Sequence, residues 1–245
     1  MKIKTIERSG LKISFVNEEE FERIYEDIFE KNEYPFKTNN STPIILDCGA
    51  HIGLSVLCFK NLYPKSIITA FEPNPLTFKL LKQNIDQNNI KNVKLINAAV
   101  YDSGGEIDFY VEKDLEHPWS WGDSAVVNKW YSENKNKTIK VKAIQLSSFL
   151  NKPIDLLKLD VEGLEERILL SIEDKFNNVG EIMLEYHSSS TNPNNDISNV
   201  LTVLRKNGFR CRIKQGRQFI KEGQIKKDDP FWLSIYARNL SIVTN

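Results

Sequence analysis

The chain has 245 residues, with 33 basic and 33 acidic side chains and a formal net charge of zero. A protein that coats nucleic acid needs a basic excess to displace phosphate counterions, so the balance argues against that class. Hydrophobic residues make up 40% and charged residues 27%, which excludes a disordered chain. The three cysteines, Cys48, Cys58 and Cys211, form no C-x-x-C pair, which argues against a disulfide framework. Lys2, Lys4, Glu7, Arg8 and Lys12 interrupt the first fifteen residues and leave no apolar core for a signal peptide. No run of about 18 apolar residues offers a membrane span. The sequence therefore predicts a soluble, cytoplasmic protein.

Residues 2–15 alternate as a short hairpin with Ser9-Gly10 as its turn. Phe21, Ile24, Tyr25, Ile28 and Phe29 recur at helical spacing, with Asn17 as N-cap and acidic residues in the first turn. The polar stretch 32–42, with Pro35, reads as a linker. The expected organisation is a hairpin–helix extension over 1–40 and a main domain over 41–245. In the main domain, short apolar strands at 44–46, 67–71, 93–96, 154–159 and 181–186 alternate with helices at 54–62, 75–87, from after Asp160 to about 172, and 197–204. Further strands are expected at 106–111 and 139–144, and a closing antiparallel pair at 209–213 and 231–236. Such alternation implies an α/β fold, doubly wound around a mostly parallel sheet, with an antiparallel tail.

In sheets of this kind ligands sit beyond the carboxyl ends of the strands. The residues there are Asp47-Cys48-Gly49-Ala50-His51-Ile52-Gly53, Glu72-Pro73-Asn74, Asn97-Ala98-Ala99, Asp160-Val161-Glu162-Gly163 and Glu185-Tyr186-His187. Gly49 and Gly53 permit close backbone approach, and the N–H groups opening the next helix favour an anion. A dinucleotide loop starting at Gly49 would need glycine at 51 and 54, where this chain has His51 and Leu54. A side chain at the second position keeps pyrophosphate off the backbone, which argues against a dehydrogenase. A carboxylate at Glu72 can accept both hydroxyls of a ribose. Asn97 and Ala98 suit the edge of an adenine.

ILDCGAHIG, FEPNP, INAAV and KLDVEGLE, in this order and spacing, resemble a class I S-adenosylmethionine-dependent methyltransferase of the FkbM type over about residues 40–190. The resemblance implies a seven-stranded Rossmann-like sheet. It also implies that Asp47, Gly49 and Gly53 hold the methionine end of the cofactor and Glu72 its ribose. The family has Asn where this chain has His51. With the strand-end neighbours, and with Ser124 by resemblance, the candidate cofactor set is Asp47, Gly49, Ala50, His51, Gly53, Glu72, Pro73, Asn97, Ala98, Ser124 and Asp160.

The chemistry implied is in-line methyl transfer to a hydroxyl, with a base to remove its proton. Asp160, Glu185 and His187 are the catalytic candidates. Glu162 is expected near the pocket floor, with Glu165 and Glu166 pointing elsewhere. Asp160, Glu185 and His187 together could also hold a hard divalent cation such as magnesium. The stretch His117-Pro118-Trp119-Ser120-Trp121-Gly122-Asp123-Ser124 reads as a lid over the acceptor, or as a satellite apolar cluster. Between Arg205 and Lys227 nine basic residues face one acid, Glu222, a local charge of +8. That run is either a solvated face or a site for a phosphate-bearing acceptor.

The expected partner is a small-molecule hydroxyl acceptor such as a sugar or a glycosylated or polyketide-like metabolite. Methylation of RNA, and cofactor binding without catalysis, are the alternatives. The sequence leaves the oligomeric state open.

Overall fold

A computed structural model describes residues 2–113, 119–126 and 136–242. Strands β1 (Lys4–Arg8) and β2 (Leu11–Phe15) form the expected hairpin, turning through Ser9 and Gly10 at positive φ. Helix α1 (Glu18–Tyr25) starts where Asn17 accepts the Glu20 N–H at 3.1 Å. Its continuation, Glu26–Glu30, unwinds into a π-turn closed by Lys31 N–H donating to Glu26 O at 2.8 Å.

The main body runs β3 (Ile44–Cys48), α2 (Leu54–Leu62), β4 (Ile67–Phe71), α3 (Pro75–Gln87), β5 (Val93–Ile96), β6 (Ala99–Tyr101), β7 (Gly105–Glu112), β8 (Asn136–Gln145) and β9 (Ile154–Leu159). It continues with α4 (Glu165–Ser171), β10 (Val179–Ser188), α5 (Ile197–Lys206), β11 (Phe209–Gln215), β12 (Gln218–Ile220) and β13 (Phe231–Asn239). The large sheet has the order β12-β11-β13-β10-β9-β3-β4-β5. Its five strands from β10 to β5 are parallel, and β13, β11 and β12 are antiparallel.

Among the described residues the large sheet has eight strands rather than the expected seven, because Gly216, at φ +57°, turns β12 back onto β11. The strands expected at 106–111 and 139–144 form, outside the large sheet. They pair as β7 and β8, joined by β6, in a separate three-stranded sheet. Phe109, Val141 and Ala99 give that sheet a small core of its own.

Apolar residues cover both faces of the large sheet. Leu157, Ile182 and Leu233 pack against α4 and α5 on one side, and Ile45, Leu156 and Met183 pack beneath α2 and α3 on the other. The N-terminal extension joins the second layer of its own chain. Phe15 and Phe21 stack at 4.3 Å and share the core with Leu57 and Leu81. Asn84, buried on α3, fixes that docking by accepting the Ser14 N–H at 2.7 Å and donating to Ser14 O at 3.0 Å. The chain leaves β3 for β4 and β5 on one side and returns to β9 on the other. The carboxyl ends of β3 and β9 therefore flank the switch in strand order, where α/β sheets open a crevice. Among the described residues no helix is long and apolar enough to cross a membrane.

Candidate active site

The loop after β3 is shaped by close approach. Gly49 sits at φ +82°, and a Cβ there would lie 1.9 Å from the Asp160 carbonyl oxygen, so only glycine lets the β3 and β9 ends meet. Asp47, fully buried, accepts from Ser55 Oγ at 2.5 Å and faces Lys158 Nζ at 3.3 Å. Lys158 also donates to Gly49 O at 2.8 Å and lies 3.3 Å from Asp160 Oδ2. Burial works to lower its pKa, but the surrounding Tyr34, Asp47, Asp160 and Glu185 outweigh that and hold it well above the usual lysine value. One buried ammonium thus ties both strand ends together.

His51 occupies the left-handed region at φ +50°. Its N–H donates to Glu72 Oε2 at 2.9 Å, and its Nε2 lies 2.7 Å from Ser120 Oγ. Burial lowers its pKa to about 3, so the ring is neutral. Glu72, at the end of β4, accepts the Asn74 N–H at 2.9 Å on its other oxygen. Burial raises its pKa to about 7 against these two hydrogen bonds. Asn97 lies on the surface and donates to the carbonyls of Glu72 and Pro73 at 2.8 and 3.0 Å, clamping the end of β4.

On the far side stands the cluster from β9, β10 and the loop between β9 and α4. Ligand atoms of Asp160, Glu185 and His187 all lie within 4.8 Å of one another. Glu162, at φ +52°, places its Oε1 3.4 Å from His187 Nε2. The helix expected to follow Asp160, with Glu162 in it, begins only at Glu165, because Glu162 and Gly163 both take positive φ. Glu165 does not point elsewhere as expected. Fully buried, it meets His187 Nδ1 at 3.1 Å and accepts from Gly163 N–H and Asn195 Nδ2. Burial opposes charge on His187, yet Glu162, Glu165 and Glu185 raise its pKa well above the usual value. Burial, with Glu185 adding, raises Asp160 despite Lys158.

One cavity of about 440 Å3 joins these parts. Gly49, His51, Glu72, Pro73, Ala98, Asp160, Glu185 and His187, all singled out from the sequence, lie on its wall. Asp47, Ala50, Gly53, Asn97 and Ser124 stand outside that lining among the described residues. Gly53, at φ +92°, lies against Leu81, where an added Cβ would meet the side chain at 2.6 Å. Ser124 donates to Glu162 O at 2.6 Å, joining the lid segment to the β9 loop. Of that segment, Ser120, Trp121, Gly122 and Asp123 reach the cavity, while His117 and Pro118 lie outside the described residues. None of the nine basic residues of 205–227 lines it, and Lys214 and Arg205 are paired with Glu33 and Glu222. The sequence reading missed Lys158, hidden in a strand read as continuously apolar. It also missed Glu20 and Arg23, whose helix showed only its apolar stripe.

A glycine turn after the first parallel strand, an acid after the second and a crevice at the switch in strand order are the features with which Rossmann-like folds bind nucleoside cofactors. The family model described as "Methyltransferase FkbM domain" matches residues 47–211, and the chain belongs to that methyltransferase family. It is 30% identical to methyltransferase sdnD of Sordaria araneosa over 201 residues, covering 69% of this chain and 76% of that protein. It is 25% identical to the 31-O-demethyl-FK506 methyltransferase FkbM of Streptomyces tacrolimicus over 239 residues, covering 86% and 90%. A solved methyltransferase FkbM from Methylobacillus flagellatus KT shares the fold with a TM-score of 0.52 at 10% identity. That match covers 83% of this chain and 45% of the longer one.

Proposed function

We propose that the chain is an S-adenosylmethionine-dependent O-methyltransferase acting on a hydroxyl of a small molecule. The observation that carries this reading is the single cavity linking Gly49, His51 and Glu72 to Asp160, Glu185 and His187. The residues present fit the cofactor. Glu72 keeps acceptor capacity beyond its two backbone hydrogen bonds, enough for a ribose diol. Phe71 and Ala98 offer apolar wall beside it for an adenine, and Gly49 and Asp160 line the same cavity where the methionine end would lie.

The cofactor supplies a methyl group on a sulfonium. Asp160, made more basic by burial, takes the acceptor's hydroxyl proton. His187, oriented from behind by Glu165, balances the carboxylates around that proton. The name of the Streptomyces relative, an O-methyltransferase by its printed activity, supports oxygen as the accepting atom. A sugar, or a glycosylated or polyketide-like metabolite, is the acceptor class favoured. Incubation with methyl-labelled cofactor and a panel of such hydroxyl compounds tests the reading. Label should appear as a methyl ether, and label found only on nitrogen or carbon, or only on RNA, would sink it.

A second reading concerns the same cluster. The closeness of Asp160, Glu185 and His187 suits a hard divalent cation, which would polarise the acceptor oxygen. Turnover after chelation and magnesium add-back separates the two. Activity indifferent to chelator leaves proton removal to Asp160.

A further inference from the structure

The N-terminal helix grips the segment that roofs the cavity. Glu20, on α1 and only 5% exposed, accepts the backbone N–H of Ser120 at 2.5 Å and of Trp121 at 2.8 Å. Ser120 Oγ lies 3.3 Å from both carboxylate oxygens of Glu20 and 2.7 Å from His51 Nε2. His51 in turn donates its N–H to Glu72. A chain of direct contacts therefore runs from the extension, through the roof, to the acid after β4. One turn along the same helix, the Arg23 guanidinium lies over the rings of Trp119 and Trp121 at 5.5 and 5.7 Å. Arg23, Ile24 and Asp27 line the cavity, so positions 20, 23, 24 and 27 present one helical face to roof and cavity together.

A carboxylate buried this far is costly unless its hydrogen bonds repay the desolvation, and burial does push Glu20 up to about 7. The general structural alternative for an acid in the first turn is a solvated partner for the helix N-terminus. Glu18 and Glu19 fit that description, being exposed and paired with Lys4 and Arg23. Glu20 does not, since its acceptors are spent on a segment 100 residues away.

We propose that Glu20 is a positioning residue that fastens Ser120 and Trp121 over the cavity, so that the N-terminal helix sets the closure of the cofactor end through His51. This rests on the reading of the cavity as a cofactor site. The removal of the grip should free two amides and loosen the contact that Ser120 makes with His51. S-adenosylhomocysteine affinity should then fall about fivefold, the size of one lost hydrogen bond.

The test compares wild type, Glu20→Ala, Glu20→Gln and the exposed control Glu22→Ala by hydrogen exchange of the peptide containing 119–126 and by titration with S-adenosylhomocysteine. Glu20→Ala should lose amide protection at Ser120 and Trp121 and bind the product more weakly. Glu20→Gln, which keeps an acceptor oxygen, should recover part of both, and Glu22→Ala should match wild type. If Glu20→Ala does not fold, the glutamine variant carries the comparison, since it too should expose part of the 119–126 protection. Unchanged exchange and affinity in the folded Glu20 variants, while wild type binds, would overturn the proposal and leave the cofactor reading standing. No binding by wild type, with exchange altered only in Glu20 variants, would overturn the cofactor reading and the coupling together, sparing only the fastening of the roof.

Discussion

Glu72 and Lys158 show how burial decides what a side chain does. Burial pushes Glu72 up to about 7 because it outweighs two backbone hydrogen bonds. Ribose hydroxyls donate to the ionised form, so S-adenosylhomocysteine affinity should rise as pH climbs through about 7 and level off above it. Titrations at about pH 6 and pH 8 check this, and the slope should vanish in Glu72→Gln. Lys158 is the opposite case, a buried cation surrounded by Asp47, Asp160 and the Gly49 carbonyl. Lys158→Met should cost roughly 3–5 kcal/mol in denaturant unfolding, because Asp47 is left charged and buried. Lys4→Ala, which breaks an exposed pair with Glu18, should cost less than about 1 kcal/mol. A loss of similar size in both variants would refute the tie between the strand ends.

At the scale of elements, the glycine turn after β3 carries the heaviest demand. Gly49→Ala would drive a Cβ into the Asp160 carbonyl and hold a side chain in the left-handed region at once. Its product affinity should drop to below detection by calorimetry even where circular dichroism shows a folded chain, because β3 and β9 can no longer meet at the switch point. Normal affinity in that variant would mean the loop reshapes freely. The strands β3, β4 and β9 were legible because apolar runs ending in Asp47, Glu72 and Asp160 are local signals. Other features are not local. Lys158 is invisible in an apolar strand until β3 supplies Asp47. Glu20 looks like any first-turn acid until residue 120 folds over it. The separate pairing of β7 and β8 depends on a small core that only the three strands together create. Glu165 was misread because a left-handed pair at Glu162 and Gly163 delays the helix and turns its first acid toward His187.

For the molecule as a whole, burial raises several acids, so that between their unfolded and folded values the native chain binds protons that the unfolded chain has released. Glu20 and Glu72, both raised to about 7, contribute stability that diminishes as pH rises from about 4.5 through 7. His51, lowered to about 3, opposes this below about 6.5 and then drops out. The melting temperature should therefore fall between about pH 6 and pH 8, and a Glu20→Gln, Glu72→Gln double variant should flatten that fall. An unchanged slope would mean these acids are ionised and repaid in the folded state. The N-terminal extension shares the core layer of α2 and α3 and is fastened to α3 through Asn84, which holds it against the main body of its own chain.

Calorimetric titration of S-adenosylhomocysteine into wild type, Glu72→Ala and Glu185→Gln is the most direct test that the crevice holds this cofactor, with the acceptor site across it. Wild type should bind one equivalent. Glu72→Ala should lose roughly 1.5–3 kcal/mol of binding, the range for hydrogen bonds to a charged group. Glu185→Gln should bind as wild type does. A folded wild type that takes up no product, or a Glu72→Ala variant that binds it equally well, would contradict the assignment of the cavity.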